Sequence, residues 1–142
     1  MTEITRQKIF EKLEKLKEYL GYLNKLREEI KSKEEFVSDF HLYGSVERYL
    51  QLSVQTVIDI NHLLIVDLEL KRPQDNYEAV SALYEKEIIS EKLAQKITRM
   101  VGLRNILVHE YGKIDREKVF DVLQENLTDL EDFQKAVLNY IK

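Results

Sequence analysis

Apolar residues recur every three or four positions over long stretches of this 142-residue chain, and this spacing constrains the fold more than any other feature. Near the start they fall at Ile9, Leu13, Leu16, Leu20, Leu23 and Ile30. Near the end they fall at Val119, Leu123, Leu127, Leu130, Phe133, Val137 and Tyr140. This is the period of an amphipathic α-helix, which buries one stripe of its surface. The segment from Val46 to Leu68 is apolar on more than one side, which predicts a central helix or a dimer face.

Few helix-breaking residues interrupt these patterns, since the chain has one proline and four glycines. No segment shows the alternation that is typical of a strand. The predicted fold is therefore all-α: an antiparallel up-and-down helical bundle of about five helices with short connections, in a single domain over residues 1–142. The predicted helices cover about residues 4–31, 36 or 46 to 70, 76–86, 91–111 and 116–141.

Individual residues mark several of these boundaries. Asp75, Ser90 and Asp115 are the expected N-caps of the last three helices. Gly112 is the expected C′ residue of the fourth helix. Gly44 is expected to mark either a break or a close contact within the second.

The composition excludes several classes of protein. Residues are 44% apolar and 34% charged, which argues against both a disordered chain and a membrane-embedded one. No apolar run approaches the ~18 residues that a spanning helix needs, and the first residues lack the apolar core of a signal peptide. Because there is no cysteine, disulfides and thiolate metal sites are excluded. We expect a cytoplasmic protein without membrane contact.

The charge is unevenly distributed. The chain has 22 basic and 26 acidic residues, a net charge of −4, and so lacks a general basic coat for nucleic acid. Residues 86–116 are the exception, with seven basic and four acidic side chains. Such an excess is more often an ordinary solvated helix face than a binding surface. If the protein binds a polyanion, this segment is the expected contact.

One polar cluster lies in this segment, between Gly102 and Gly112. Arg104 is a permanent cation whose planar fork suits phosphate. His109, five residues on, can accept and release a proton near neutral pH. Together they are sufficient for metal-free cleavage of a phosphodiester, with a ribose 2′-hydroxyl as nucleophile, which would restrict the substrate to RNA. On a helix, Asn105 is the i,i+4 neighbour of His109, and Tyr111 lies two turns from Arg104.

The same spacing is also compatible with purely structural roles. An arginine and a histidine five residues apart occur by chance, and a histidine near a helix C-terminus also interacts well with the helix dipole. Tyr111 could simply pack its ring at the helix end. Asp59 and Asn61, in the middle of the second helix, could orient Arg104 or His109, or could equally form an inter-helix hydrogen bond.

The cluster resembles a known motif. Residues 104–111 are similar to the R-x4-H-x-Y motif of HepT-like proteins in the HEPN superfamily. The similarity extends over about residues 40–140, whereas residues 1–35 resemble the family only as a generic first helix. Further segments that carry it are Val46–Leu52, Asp59–Leu63, Pro73, Ile88–Ser90, Met100–Leu103 and Lys113–Asp115.

The resemblance implies a homodimeric helical bundle that acts as a metal-independent ribonuclease toxin and needs no cofactor. It implies a partner, a minimal nucleotidyltransferase antitoxin of the MntA type, which transfers AMP from ATP to the motif tyrosine. By position, Arg104 and His109 become the catalytic pair and Tyr111 the AMP acceptor. From their positions in the sequence, and not from the resemblance, Asn105 and Asp59 are expected as supporting residues.

The dimer also has a chemical reason. Attack by a 2′-hydroxyl needs a base and an acid, but the motif supplies one histidine per chain. A two-fold axis near the motif would bring a second copy into the same cleft. The net charge favours a folded RNA recognised by shape, such as tRNA. Two alternatives stay open: a non-catalytic nucleotide- or substrate-binding subunit of a nucleotidyltransferase, and a structural bundle in which the motif only packs.

Overall fold

The chain forms seven helices and no strand in the part that the structure describes. The computed structural model describes residues 1–109 and 114–142, without the side chains of residues 108 and 109. The helices are α1 (Glu3–Glu29), α2 (Lys33–Ser38), α3 (Phe40–Asp67), α4 (Asn76–Glu85), α5 (Glu91–His109), α6 (Arg116–Glu125) and α7 (Leu127–Ile141). The all-α class is confirmed, but about five helices was too few.

Short polar side chains begin the helices as predicted. The Asp75 carboxylate accepts from the Glu78 N–H at 2.8 Å. Ser90 and Asp115 accept in the same way from the third residue after them, at 3.1 Å each. Each bond satisfies one of the backbone donors that a helix N-terminus leaves free.

Asp39 divides the predicted second helix into two. Its backbone is extended (φ −104°, ψ 105°), and its carboxylate accepts from the His41 N–H at 3.0 Å. This residue therefore ends α2 and caps α3. The prediction that Gly44 marks a break or a close contact was wrong, since Gly44 lies within α3 and a Cβ there would meet nothing within 4 Å.

Asn126 divides the predicted last helix. Its N–H bonds the Val122 carbonyl at 2.9 Å, which ends α6, and its side-chain amide donates to Asp129 at 3.0 Å. The apolar stripe continues through this break, because Leu123 and Leu127 on either side are both fully buried. Tyr140, predicted to belong to the stripe, is 40% exposed. The buried position is taken by Ile141, one residue on.

The central helix is α3, which packs against α1, α2, α4, α5 and α6. It runs antiparallel to α1, because Lys12 pairs with Asp59 near one end of the two helices and Tyr22 packs on Tyr49 towards the other. Its buried residues fall on more than one side, as predicted, and each fully buried Leu or Ile contributes about 1.5–3 kcal/mol. These buried residues are Val46, Leu50, Ser53, Val54, Thr56, Val57, Ile58, Ile60, Asn61, Leu64 and Ile65.

A glutamate in the left-handed region follows two of the helices, Glu69 (φ 55°) after α3 and Glu87 (φ 60°) after α4. After α4, the Glu87 N–H bonds the Tyr84 carbonyl at 2.9 Å and the Ile88 N–H bonds the Leu83 carbonyl at 3.0 Å. This is a Schellman C-cap, in which the left-handed residue is usually glycine.

The predicted end of α5 near Tyr111 and Gly112 lies outside the described residues. Among the described residues, no helix combines the length and hydropathy needed to cross a bilayer.

Candidate functional site

Arg104 lies in the second half of α5, where its side chain reaches α3. It is half-buried, and its Nε donates to the Gln55 side-chain oxygen at 2.9 Å. No described residue accepts from its two terminal Nη groups or pairs with its charge. The guanidinium is thus fixed at one edge, while its other edge keeps the donors that can bind two phosphate oxygens.

Gln55 is itself held by a second bond. Its side-chain Nε2 donates to Asp59 Oδ1 at 2.9 Å, and Asp59 Oδ2 accepts from Lys12 Nζ on α1 at 3.2 Å. We call Arg104, Gln55, Asp59 and Lys12 the Arg104 network. Asp59 thus forms an inter-helix ion pair with Lys12, and it is joined to Arg104 only through Gln55. That it orients Arg104 stays a prediction.

Asn105 faces a different neighbour. Its side-chain amide is exposed and donates to the Tyr77 hydroxyl on α4 at 3.3 Å. The same hydroxyl lies 3.5 Å from where a Cβ on Gly102 would stand. Asn105 therefore joins α5 to α4, whereas Arg104 joins α5 to α3.

His109 is the last described residue of α5, and the backbone is helical from Arg104 to this point. Five residues of helix separate the two Cα atoms by about 7.5 Å along the axis. The His109 side chain and all of Tyr111 lie outside the described residues. The prediction that these residues share a site with Arg104 therefore stays a prediction.

Two cations of the basic segment are engaged elsewhere. Arg116 lies 3.9 Å over the Tyr43 ring and 3.8 Å from the Glu47 carboxylate. Burial raises the pKa of Glu47, and Arg116 opposes this shift. Lys96 pairs at 3.6 Å with the buried Asp129. These ion pairs reduce the positive charge that the segment offers to a polyanion.

Asn61 is the other polar residue of α3 singled out from the sequence. It is 1% exposed, and neither atom of its amide has a hydrogen-bond partner among the described residues. The described part of the chain also contains no group of three or more His, Asp or Glu side chains placed to hold a metal ion.

A groove of about 1290 Å³ runs between α1 and α3, and Asp59 and Lys12 lie in its wall. Several apolar side chains in the same wall are open to solvent, among them Phe10 (44% exposed), Tyr22 (41%) and Val66 (76%). The Arg104 network therefore borders an apolar surface that has no covering element in the described structure.

Gln55 was missed from the sequence. It stands four residues before Asp59 on a helix, and an amide and a carboxylate at this spacing are known to pair. That spacing was the available signal. It pointed to the bond with Asp59, but not to Arg104, which is 49 residues away in sequence.

Comparisons with known proteins agree with this fold. The family model described as ribonuclease HepT-like matches residues 9–137, so the match includes most of α1, which from the sequence resembles the family only generically. The chain is 34% identical to the tRNA nuclease HepT of Aphanizomenon flos-aquae, over 99% of this chain and 95% of that protein. It is 34% identical to the mRNA nuclease HepT of Shewanella oneidensis, over 70% of this chain and 74% of that one.

A solved structure is similar over nearly the whole chain. The tri-AMPylated HEPN toxin of Shewanella oneidensis, in complex with its MNT antitoxin, superposes with a TM-score of 0.83 at 28% identity. The superposition covers 98% of this chain and 99% of that one. The fold, the family match and the relatives lead to one conclusion: this chain belongs to the HepT-like ribonuclease family.

Proposed function

We propose that this protein is a ribonuclease toxin that cleaves RNA with Arg104 and His109, without a metal ion, and that a nucleotidyltransferase antitoxin silences it by AMPylating Tyr111. The observation that carries the proposal is the family match over residues 9–137, which contains the complete R-x4-H-x-Y pattern. The arginine's geometry supports it, because the Nε is held by Gln55 while no described residue engages the Nη groups.

The cleavage step uses the chemistry of these two side chains. The ribose 2′-oxygen attacks the adjacent phosphorus, the bond from phosphorus to the 5′-oxygen breaks, and the products are a 2′,3′-cyclic phosphate and a 5′-hydroxyl. Arg104 stabilises the charge that develops on the phosphate oxygens. Histidine takes the proton from the 2′-hydroxyl or gives one to the leaving 5′-oxygen, a contribution of about 10²–10⁴-fold in rate.

Two proton transfers at one phosphate explain why the active form is a homodimer. Each chain has one motif histidine, and a two-fold axis supplies the second. The exposed apolar side chains along the α1–α3 groove give a second copy a surface to bury. Val66→Asp would place a charge on the most exposed of them and should shift the protein to monomers in light scattering. Tyr140→Asp, on α7, is the matched control and should leave the dimer intact.

AMPylation would block the same site. The Tyr111 hydroxyl attacks the α-phosphorus of ATP, an O–P bond forms, and pyrophosphate leaves. Each added AMP brings about one negative charge and a bulky base, and both oppose binding of RNA phosphate. The similar Shewanella oneidensis toxin is tri-AMPylated in its complex with an antitoxin, which supports this regulation here.

The first experiment is cleavage of a pooled tRNA preparation and of a long transcribed mRNA, both with a metal chelator present. We expect Arg104→Ala and His109→Ala each to abolish detectable cleavage while circular dichroism shows an intact fold. Arg6→Ala is the matched control, since Arg6 is an exposed arginine on α1, outside the basic segment of residues 86–116. Cleavage that survives both substitutions would reject the nuclease assignment. A homodimer that never cuts RNA, yet raises the activity of a nucleotidyltransferase partner, would favour the non-catalytic alternative.

The second experiment tests the modification. The protein is co-expressed with a minimal nucleotidyltransferase and its intact mass is measured. We expect added mass in whole AMP units on the wild type and none on Tyr111→Phe. Adducts that persist on Tyr111→Phe would place the acceptor elsewhere.

A further inference from the structure

We propose that Gln55 is a positioning residue for Arg104: it holds the Nε edge of the guanidinium so that the two Nη groups are directed at the RNA phosphate, and Asp59 with Lys12 fixes the Gln55 amide in the required orientation. The inference rests on the proposed function, because positioning matters only if Arg104 acts on a phosphate.

The two bonds of Gln55 demand an amide. Its oxygen accepts from Arg104 at 2.9 Å, and its nitrogen donates to Asp59 at 2.9 Å. A cation can only donate and a carboxylate can only accept, so the orientation of the amide is determined by its partners. The glutamine amide satisfies both ends, whereas a carboxylate or an alkyl side chain could not.

The acceptor for Arg104 is the neutral amide oxygen of Gln55, which leaves the positive charge of Arg104 uncompensated. If a carboxylate stood at position 55, it would pair with the guanidinium and compete with phosphate for it. In this chain the carboxylate of the network lies one turn further along α3, at Asp59, and Lys12 is paired with it at 3.2 Å. Arg104 is thereby anchored without being neutralised.

Anchoring one edge also sets the direction of the other. The guanidinium is planar, so holding Nε restricts the directions in which the Nη groups can point. The placement of a catalytic group matters for catalysis, because small displacements of the group strongly reduce the rate of the chemical step. Gln55 and Asp59 lie one turn apart on the central helix α3, so their positions are set by the buried core around them.

The main test is steady-state cleavage of whichever RNA the wild type cuts. We expect Gln55→Ala to lower kcat/KM by about 10- to 100-fold, the range for a hydrogen bond to a charged group. Gln55→Glu should lose at least as much, although it keeps an acceptor, because it neutralises Arg104. If Gln55 only packed against its neighbours, Gln55→Glu would instead keep a higher kcat/KM than Gln55→Ala. Gln51→Ala, one turn earlier on α3, is the matched control and should stay within about threefold.

A double mutant separates positioning from a general effect on the fold. Arg104→Lys keeps the positive charge but loses the planar fork. In that background, Gln55→Ala should change kcat/KM by less than about threefold, because a residue that acts through Arg104 has nothing left to position. A full loss in the Arg104→Lys background would overturn the proposal.

A spectroscopic measurement reads the bond without any cleavage. The Arg104 Nε–H resonance is assigned in a ¹⁵N spectrum by its absence in Arg104→Lys. We expect slow exchange of this proton with water in the wild type and fast exchange in Gln55→Ala. Equal exchange in both proteins would refute the network. If wild-type protein cuts no RNA, the proposed function fails, and this spectrum still decides whether Gln55 holds Arg104.

Discussion

Truncation of Phe36 should destabilise the protein more than its place in a six-residue helix suggests. A helix as short as α2 is not stable by itself, so it depends on its tertiary contacts. Phe36 is fully buried and is the one buried residue of α2. Its ring packs on Phe120 of α6, with centroids 5.7 Å apart and the planes tilted by 52°. The ion pair of Lys33 with Asp121 is solvent-exposed and contributes little.

The size of the effect follows from this burial. Replacing a buried phenylalanine with alanine lowers the free energy of unfolding by about 3–5 kcal/mol. About 0.5–1.5 kcal/mol of this is the interaction of the two rings. Because the short α2 can shift inward and fill part of the cavity, we expect Phe36→Ala to lose about 3–4 kcal/mol, a large share of the roughly 5–15 kcal/mol of a typical domain.

The assay is urea unfolding followed by circular dichroism at one protein concentration, which keeps any contribution of a dimer constant. Phe40→Ala is the matched control, because Phe40 is 63% exposed and lies four residues away. It should change the free energy of unfolding by no more than about 0.5 kcal/mol. A loss below about 1.5 kcal/mol for Phe36→Ala, the size of a tolerated apolar exchange, would refute the view that Phe36 anchors α2.

Three further substitutions test local features. Glu87→Gly should raise the free energy of unfolding by about 1 kcal/mol, since it removes the strain of a side chain at φ 60°; a decrease in urea unfolding would contradict this. Burial raises the pKa of Glu47 against the opposing effect of Arg116, so its contribution to stability is present at low pH and is lost as pH rises through the folded-state pKa. The stability of Glu47→Gln relative to wild type should therefore increase from acid to neutral pH, and a flat difference would argue otherwise. Lys96→Met leaves the buried Asp129 without its cation and should lower the free energy of unfolding by about 1–3 kcal/mol; no change would show that this pair is dispensable.

The helices could be predicted where their determinants are local in sequence. The α1 stripe and the caps at Asp75, Ser90 and Asp115 depend on residues within one or two turns of each other. The breaks at Asp39 and Asn126 were missed because the apolar spacing continues through them. At both residues the helix is ended by a hydrogen bond of a side chain or of the backbone, and the spacing of apolar residues does not indicate such a bond.

In the candidate site, too, contacts that are local in sequence could be predicted and contacts between distant residues could not. Arg104 and His109 belong to one short motif, so their proximity along α5 could be predicted. The Gln55 contact could not, since it joins two helices across 49 residues of sequence. Asp59 was expected to support Arg104, but it does not contact Arg104 itself. Gln55 lies between the two side chains and bonds to both.

The chemical ends of the RNA products test the central claim most directly, that a guanidinium and an imidazole cleave RNA through its own 2′-hydroxyl. Wild-type protein is incubated with tRNA in the presence of a chelator, and the new termini are identified by mass spectrometry. The account predicts a 2′,3′-cyclic phosphate, or the monophosphate formed when it opens, together with a 5′-hydroxyl. A 3′-hydroxyl with a 5′-phosphate, the products of attack by water with the 3′-oxygen leaving, would contradict it.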